Sequence, residues 1–146
     1  MKKVIIYTDG GSRGNPGPSA AGVVFCNELG QKIKDYAEVL GEATNNEAEY
    51  QAVIIGMEKF KALFGKKLAE STELEIRSDS ELMIRQLGGE YKVNEPRIGD
   101  LFLKVWNLKL DFKKVSFRLI PRTKNQEADK LVNQALDGQK REQRLF

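Results

Sequence analysis

Four carboxylates in this sequence occupy positions where an acid is awkward unless it does chemistry: Asp9, Glu49, Asp79 and Asp129. Glu49 lies three, four, seven and eleven residues before Ala52, Val53, Gly56 and Phe60, on an apolar helical stripe that continues through Met57 and Leu63. A carboxylate on a core-facing stripe calls for a partner or a metal ion, because burying it alone is costly. The plain alternative is a first-turn acid outside the core, where it suits the helix dipole. Asp129 carries the same alternative: it lies three and seven residues before Val132 and Leu136, bordering a stripe with Ala128, Leu131 and Ala135. Asp9 closes an apolar run and precedes Gly10, as turn aspartates do; Asp79 precedes Ser80-Glu81-Leu82, as N-cap aspartates do. Ends of adjacent strands and first turns of the helices that follow strands can nevertheless converge on one sheet edge. Four acids gathered there repel one another unless cations are bound. An all-oxygen site suits Mg²⁺ or Mn²⁺, and two such ions roughly 3.5–4 Å apart are a recurring device for phosphodiester displacement.

Composition narrows the chemistry further. The chain contains no histidine and a single cysteine, Cys26. Without them no Ser-His-Asp or Cys-His pair and no ordinary zinc cluster can be assembled. Cys26 sits in an apolar run, where a buried thiol is the usual case. Any hydrolase here works through carboxylates, lysines or oxygen-ligated metals. The formal charge is +3, and neutralising the four acids with divalent ions leaves a distinctly positive surface that favours a polyanion. At 146 residues one domain with one core is expected, without internal repeats or linkers. No apolar run approaches the roughly 18 residues a bilayer span needs. The apolar stretch after Met1-Lys2-Lys3 ends at Tyr7, too short for a signal-peptide core, so a cytoplasmic location and no membrane partner are expected.

The elements that must position these acids follow from pattern and punctuation. Val4 to Tyr7 reads as a central strand buried on both faces, with a glycine- and proline-rich loop from Gly10 to Pro18 after it. Strands at Ala20–Cys26 and Lys32–Leu40, joined at Glu28-Leu29-Gly30-Gln31, complete an antiparallel meander. Thr44 or Asn45 caps a helix that runs to Phe64 and ends at Gly65. A strand at Leu74–Arg77, a short helix at Ser80–Leu87, a helix from Pro96 to Leu110, a strand at Val115–Ile120 and a helix at Asn125–Leu136 follow, with Gly138 closing the last. Trp106 is expected in the core with Leu101, Phe102, Val105 and Leu108. The tail 139–146 is expected to fray apart from its apolar Leu145-Phe146 end, which has its own domain or a partner to dock on. The pattern is that of a mixed-sheet α/β domain.

The loop Gly10-Gly11-Ser12-Arg13-Gly14-Asn15-Pro16-Gly17-Pro18 is too elaborate for a plain hairpin, and its glycines let backbone N–H groups approach a phosphate or ribose. With it, four ordered blocks resemble type 1 ribonuclease H, ribonuclease HI. They are Tyr7-Thr8-Asp9-Gly10-Gly11-Ser12 with Gly14-Asn15-Pro16-Gly17-Pro18, Thr44-Asn45-Asn46-Glu47-Ala48-Glu49, Ser78-Asp79-Ser80, and Asn125-Gln126-Glu127-Ala128-Asp129. The resemblance runs from Lys3 to about Leu136 and implies a ribonuclease H-like fold, a five-stranded mixed sheet flanked by helices, over residues 1–138. It also implies hydrolysis of the RNA strand of RNA–DNA hybrids with two Mg²⁺ or Mn²⁺ ions, leaving 5′-phosphate and 3′-hydroxyl ends. On that analogy Asp9 bridges both ions, Glu49 and Asp79 hold one, and Asp129 holds the other. Gly11, Ser12, Asn15, Asn45 and Asn46, with Arg13 among them, match the hybrid-contacting region, where amides and open backbone suit the 2′-hydroxyl.

Two departures stand out. Many members of the family place a histidine before the last aspartate; here Arg122 is the candidate for that place, and it would act electrostatically, since arginine is no base at neutral pH. Its plain alternative is a solvated loop charge. Some members also carry a basic, tryptophan-containing protrusion, for which residues 89–96 are too short, so hybrid affinity would fall to Lys92, Lys104 and other dispersed cations. Two rival functions remain at this point: an idle nucleic-acid-binding module of the same fold, and another nuclease such as a double-strand RNA cutter or an integrase-like enzyme. A binder gains nothing from a repulsive acidic cluster beside phosphates, and the glycine-asparagine-proline loop favours the hybrid specialist, with double-stranded RNA a second possible substrate. A monomer is expected.

Overall fold

Val4 and Ile6 have no exposed surface and Ile5 has 6%, as a central strand covered on both faces requires. They belong to β1 (Lys3–Ser12) in a five-stranded sheet of order β3-β2-β1-β4-β5, with β2 at Gly17–Asn27, β3 at Lys32–Ala43, β4 at Glu73–Ser78 and β5 at Lys114–Leu119. The first three strands form the antiparallel meander, and β4 and β5 add to it in parallel. The structure, a computed structural model, describes residues 2–145, with side chains through residue 142.

Two layers of helix cover the sheet. On the inner face, α1 (Asn45–Phe64) lays Tyr50, Val53, Ile54, Met57 and Phe60 on Val4, Ile6, Val23 and Phe25. Two further helices, α3 (Glu81–Leu87) and α4 (Pro96–Lys109), add Met83, Leu87, Ile98 and Val105 to that core. On the outer face α5 (Gln126–Leu145) packs Ala128 and Leu131 on Ile5, Val24 and Cys26, and sets Val132 and Leu136 against Ala20. Thr44 is the N-cap of α1: its hydroxyl accepts from Glu47 N at 3.2 Å while the Glu47 carboxylate accepts from Thr44 N at 3.1 Å.

Several expectations are corrected. The glycine loop contracts to residues 13–16, because Gly10, Gly11 and Ser12 continue β1 opposite Ala21, Ala20 and Ser19. Asp9 therefore lies within a strand, paired with Gly22, and not at a turn. The last helix passes through Gly138 and continues to Leu145 instead of fraying after Leu136: one glycine costs only about 1 kcal/mol inside a helix. The Leu145 side chain and Phe146 lie outside the described residues. Trp106 is 41% exposed, not in the core; α4 turns Ile98 and Val105 inward, and Trp106 stands beside Phe102 with the Lys109 ammonium 3.6 Å from its ring centre. Leu63, expected on the buried stripe, is 39% exposed because Phe60 and Phe64, one turn apart, take the core-facing side of the last turns of α1. A one-turn helix, α2 (Lys66–Glu70), and a 3-10 turn at Arg122–Lys124 were not anticipated.

The outer layer depends on a glycine. A Cβ on Gly22 would stand 2.3 Å from the carbonyl oxygen of Ala128, so the backbone of α5 rests directly on β2. Gly22→Ala is expected to destabilise the protein by about 1–3 kcal/mol, read from urea unfolding; an unchanged midpoint would contradict the close contact.

Candidate active site

Each acid reaches the carboxyl end of β1 and β4 by a different device. Asp9 projects from β1 and is 8% exposed. Glu49 comes from the first turns of α1, also 8% exposed, and its Oε1 accepts the Gly10 N–H at 2.7 Å. That bond exists because α1 all but touches β1: a Cβ on Gly10 would fall 2.1 Å from the Ala48 carbonyl oxygen. Asp79 follows β4. It is not the cap of α3; Ser80 is, its hydroxyl accepting from Met83 N at 3.3 Å, so the Asp79 carboxylate is left for the site. Asp129 sits exposed in the first turn of α5, which is moored by Asn125 Nδ2 donating to the Thr8 carbonyl at 2.9 Å.

Asp9, Glu49 and Asp79 each offer a carboxylate oxygen within 4.8 Å of the others. Asp129 stands outside this trio, yet its charge bears on Asp9. The electrostatic consequence is large. Burial, then the charges of Asp79 and Asp129, push the Asp9 carboxyl up to about 8. Burial and Asp9 hold Glu49 well above the ordinary carboxylate range, against the opposing Gly10 N–H. Asp79 is raised as well, by burial, with Arg122 pulling the other way. The donor set is all oxygen and anionic, and it lacks a cation strong enough to balance it; Arg122 Nε reaches only to 4.0 Å from Asp79 and its side chain is 91% exposed. A divalent metal ion fits both the ligand type and the missing charge.

Around the acids the anticipated contact residues form one continuous edge. A groove of about 780 Å³ is lined by Asn15, Asn45, Asn46, Ser80 and Arg122 together with Glu49 and Asp79. A smaller recess of about 390 Å³ adds Asp9, Gly11, Ser12, Arg13, Asp129 and Asn133. The amides are oriented from behind: Asn45 Oδ1 accepts from Ser12 N at 3.0 Å and Ser12 Oγ at 3.1 Å, and Asn15 Oδ1 accepts from Asn45 N at 2.9 Å. Their NH₂ groups are the ends left to the groove. Asn46 Oδ1 is buried without a partner among the described residues. Arg13 pairs with Asp137 on α5 at 2.7 Å. Sequence reasoning overlooked Gly22 and Ser78, whose hydroxyl accepts from Ser80 N at 3.0 Å and shapes the turn at Asp79. Gly22 had left a signal, a lone glycine inside an apolar strand.

Fold and site together define an α/β protein with a carboxylate cluster on the edge of a mixed sheet, beside an amide-lined groove. Residues 7–135 match the family model described as reverse transcriptase-like. An RNase H1 isolated from compost by a metagenomic approach, solved in complex with RNA/DNA hybrid, superposes with a TM-score of 0.88 at 46% identity, covering 92% of this chain and 97% of that one. The chain belongs to the ribonuclease H1 family. The ribonuclease HI of Halobacterium salinarum is 38% identical over 92% of this chain and 65% of its own length. A bifunctional protein of Mycobacterium tuberculosis is 36% identical over 93% of this chain, which spans only 36% of that relative's length.

The raised carboxyl groups make stability pH-dependent. Asp9 is pushed up to about 8 from an ordinary 3.8, so its protonated form stabilises the metal-free fold below about pH 4, and that contribution is lost as pH rises toward 8. In EDTA the melting temperature of the wild type should therefore fall relative to Asp9→Asn between pH 4 and 8, by several degrees at pH 8, with Mg²⁺ narrowing the gap. Parallel melting curves for the two proteins would refute the raised carboxyl.

Proposed function

We propose that this protein is an endoribonuclease that hydrolyses the RNA strand of RNA–DNA hybrids with two divalent cations, Mg²⁺ or Mn²⁺, leaving 5′-phosphate and 3′-hydroxyl ends. The convergence of Asp9, Glu49 and Asp79 within 4.8 Å of one another, beside a groove faced by oriented amides, carries the reading. The compost relative's complex with RNA/DNA hybrid supports it. Asp9 with Glu49 and Asp79 would hold one cation, and Asp9 with Asp129 the other. Bound there, the pair supplies an activated water and stabilisation of the leaving 3′ oxygen.

The chain's own residues do the rest. Glu49 accepts the Gly10 N–H through Oε1, which orients its carboxylate toward the site. Asn15 and Asn45 present amide donors to the hybrid's 2′-hydroxyl and sugar oxygens, since their oxygens are already engaged with backbone. Arg122, exposed beside Asp79, is free to follow the scissile phosphate or the departing product by electrostatic attraction. Together these groups position an RNA phosphate over the carboxylates and discriminate against DNA in that strand. The protein is proposed to act as a cytoplasmic monomer.

Labelled hybrid, RNA duplex and DNA duplex incubated with Mg²⁺, Mn²⁺ or EDTA test the assignment. Hybrid cutting that EDTA abolishes is expected, and Asp79→Asn should lower turnover on the order of 100-fold or more while hybrid binding survives. Cutting that persists under chelation would end the two-metal reading, and cutting of RNA duplex would add a second substrate. Arg122→Ala should slow turnover by roughly tenfold with little change in KM; unchanged turnover would return Arg122 to a solvated loop charge.

A further inference from the structure

The outer face of the sheet is only half covered. Helix α5 packs across β1, β2 and β3, whereas among the described residues no helix packs across the same face of β4 and β5. Strand register places Glu73, Glu75 and Arg77 of β4 beside Lys114, Ser116 and Arg118 of β5 on that face. Glu75 is 8% exposed and saturated with cations: Lys3 at 3.1 Å, Arg77 in contact, and Arg118 at 3.9 Å. Arg77 in turn donates to the Tyr7 hydroxyl at 2.8 Å and lies 5.4 Å over its ring. Two acids, Glu73 and Glu75, face four cations, Lys3, Arg77, Lys114 and Arg118, so the surface keeps a positive excess. Arg118 keeps a side chain 63% exposed, and Lys114, four residues or roughly 13 Å along β5, is exposed too.

Tyr7, which accepts from Arg77, connects this face to a cavity of about 270 Å³ between β1, β2 and the start of α5, with Tyr7, Val24, Cys26 and Ala128 as apolar wall and Lys32, Lys124, Thr123 and Glu127 around it. Asn125 lines it as well; the residue is 1% exposed, and its Oδ1 has no hydrogen-bond partner among the described residues. A buried acceptor without a donor is costly, and an amino group of an unpaired base supplies one. Aromatic and apolar walls next to a cationic track are the combination that binds single-stranded nucleic acid. The track also runs the right way, since β4 and β5 lead from Arg77 and Arg118 to Asp79 and, through residues 119–121, to Arg122.

We propose that the open outer face of β4 and β5, with the cavity that Tyr7 connects to it, binds an unpaired nucleic-acid segment continuing from the hybrid. Lys114 and Arg118 take its phosphates, and Asn125 takes a base amino group. This surface rests on the hybrid-cleaving reading above and extends it to substrates with single-stranded flanks. It requires no change in the catalytic groups.

Binding of a blunt RNA–DNA hybrid is compared with that of the same hybrid carrying a single-stranded tail on either strand, using the full chain in EDTA so that neither is cut. One tailed form should bind about fivefold more tightly, with a salt slope steeper by about 1.4 for two added phosphate contacts. Lys114→Ala with Arg118→Ala should remove that advantage and leave blunt-hybrid binding and cleavage unchanged. Arg118→Glu should make the tail unfavourable. Equal affinity for tailed and blunt hybrids, or equal weakening of both in the double variant, overturns the proposal. A wild-type protein that shows no tail effect but keeps chelator-sensitive cleavage removes this surface alone, whereas absence of that cleavage removes the assigned reaction.

Discussion

Everything at the sheet edge depends on backbone pressed against backbone where no side chain intervenes. Like-charged carboxyl groups push apart, and only a rigid frame keeps them within one ligand sphere. At Gly10 the Ala48–Glu49 peptide of α1 occupies the space a Cβ would take, and at Gly22 the Ala128 carbonyl of α5 does the same. Because Asp9 pairs with Gly22 and precedes Gly10, both contacts flank one residue. The inner and outer helices therefore deliver Glu49 and Asp129 to opposite sides of Asp9.

That frame explains the uneven burial of the acids. Asp9 and Glu49 lie under a helix and are almost enclosed, Asp79 is partly open, and Asp129 is exposed. Desolvation grows in the same sense, so proton affinity is highest where the acids are deepest. Without metal the cluster is a store of unfavourable charge relieved by protons; a divalent cation relieves it more completely. The site gives up stability in the absence of metal to gain affinity for it, as functional sites commonly do.

The amides of the groove show the opposite economy. Asn15, Asn45 and Ser12 satisfy one another across the β1–β2 connection and the start of α1, leaving donors outward and acceptors inward. A polar cluster organised by its own hydrogen bonds needs no rearrangement when it meets a sugar-phosphate surface. The cations are arranged differently, with Arg122 at the rim 4.0 Å from Asp79 and Arg77 and Arg118 anchored through Glu75 on the outer face.

From the sequence alone came the strands, the helices bearing the acids, most of the inward stripe of α1 and the convergence of Asp9, Glu49 and Asp79, with Asp129 left outside that trio. These are local matters of periodicity, capping and motif order, and they survive in the fold. What tertiary structure decided was each acid's environment. Asp79 reads as an N-cap until Ser80 is seen to hold that place, and Asp9 reads as a turn residue until Gly10 and Gly11 are seen to extend the strand. Trp106 and Leu63 follow the apolar pattern yet face solvent, because pattern gives a helix's stripe but not where its neighbours end. The shared reason is that burial, pairing and charge belong to contacts between distant segments, and those are set by how helices seat on the sheet, which spacing along one chain does not encode.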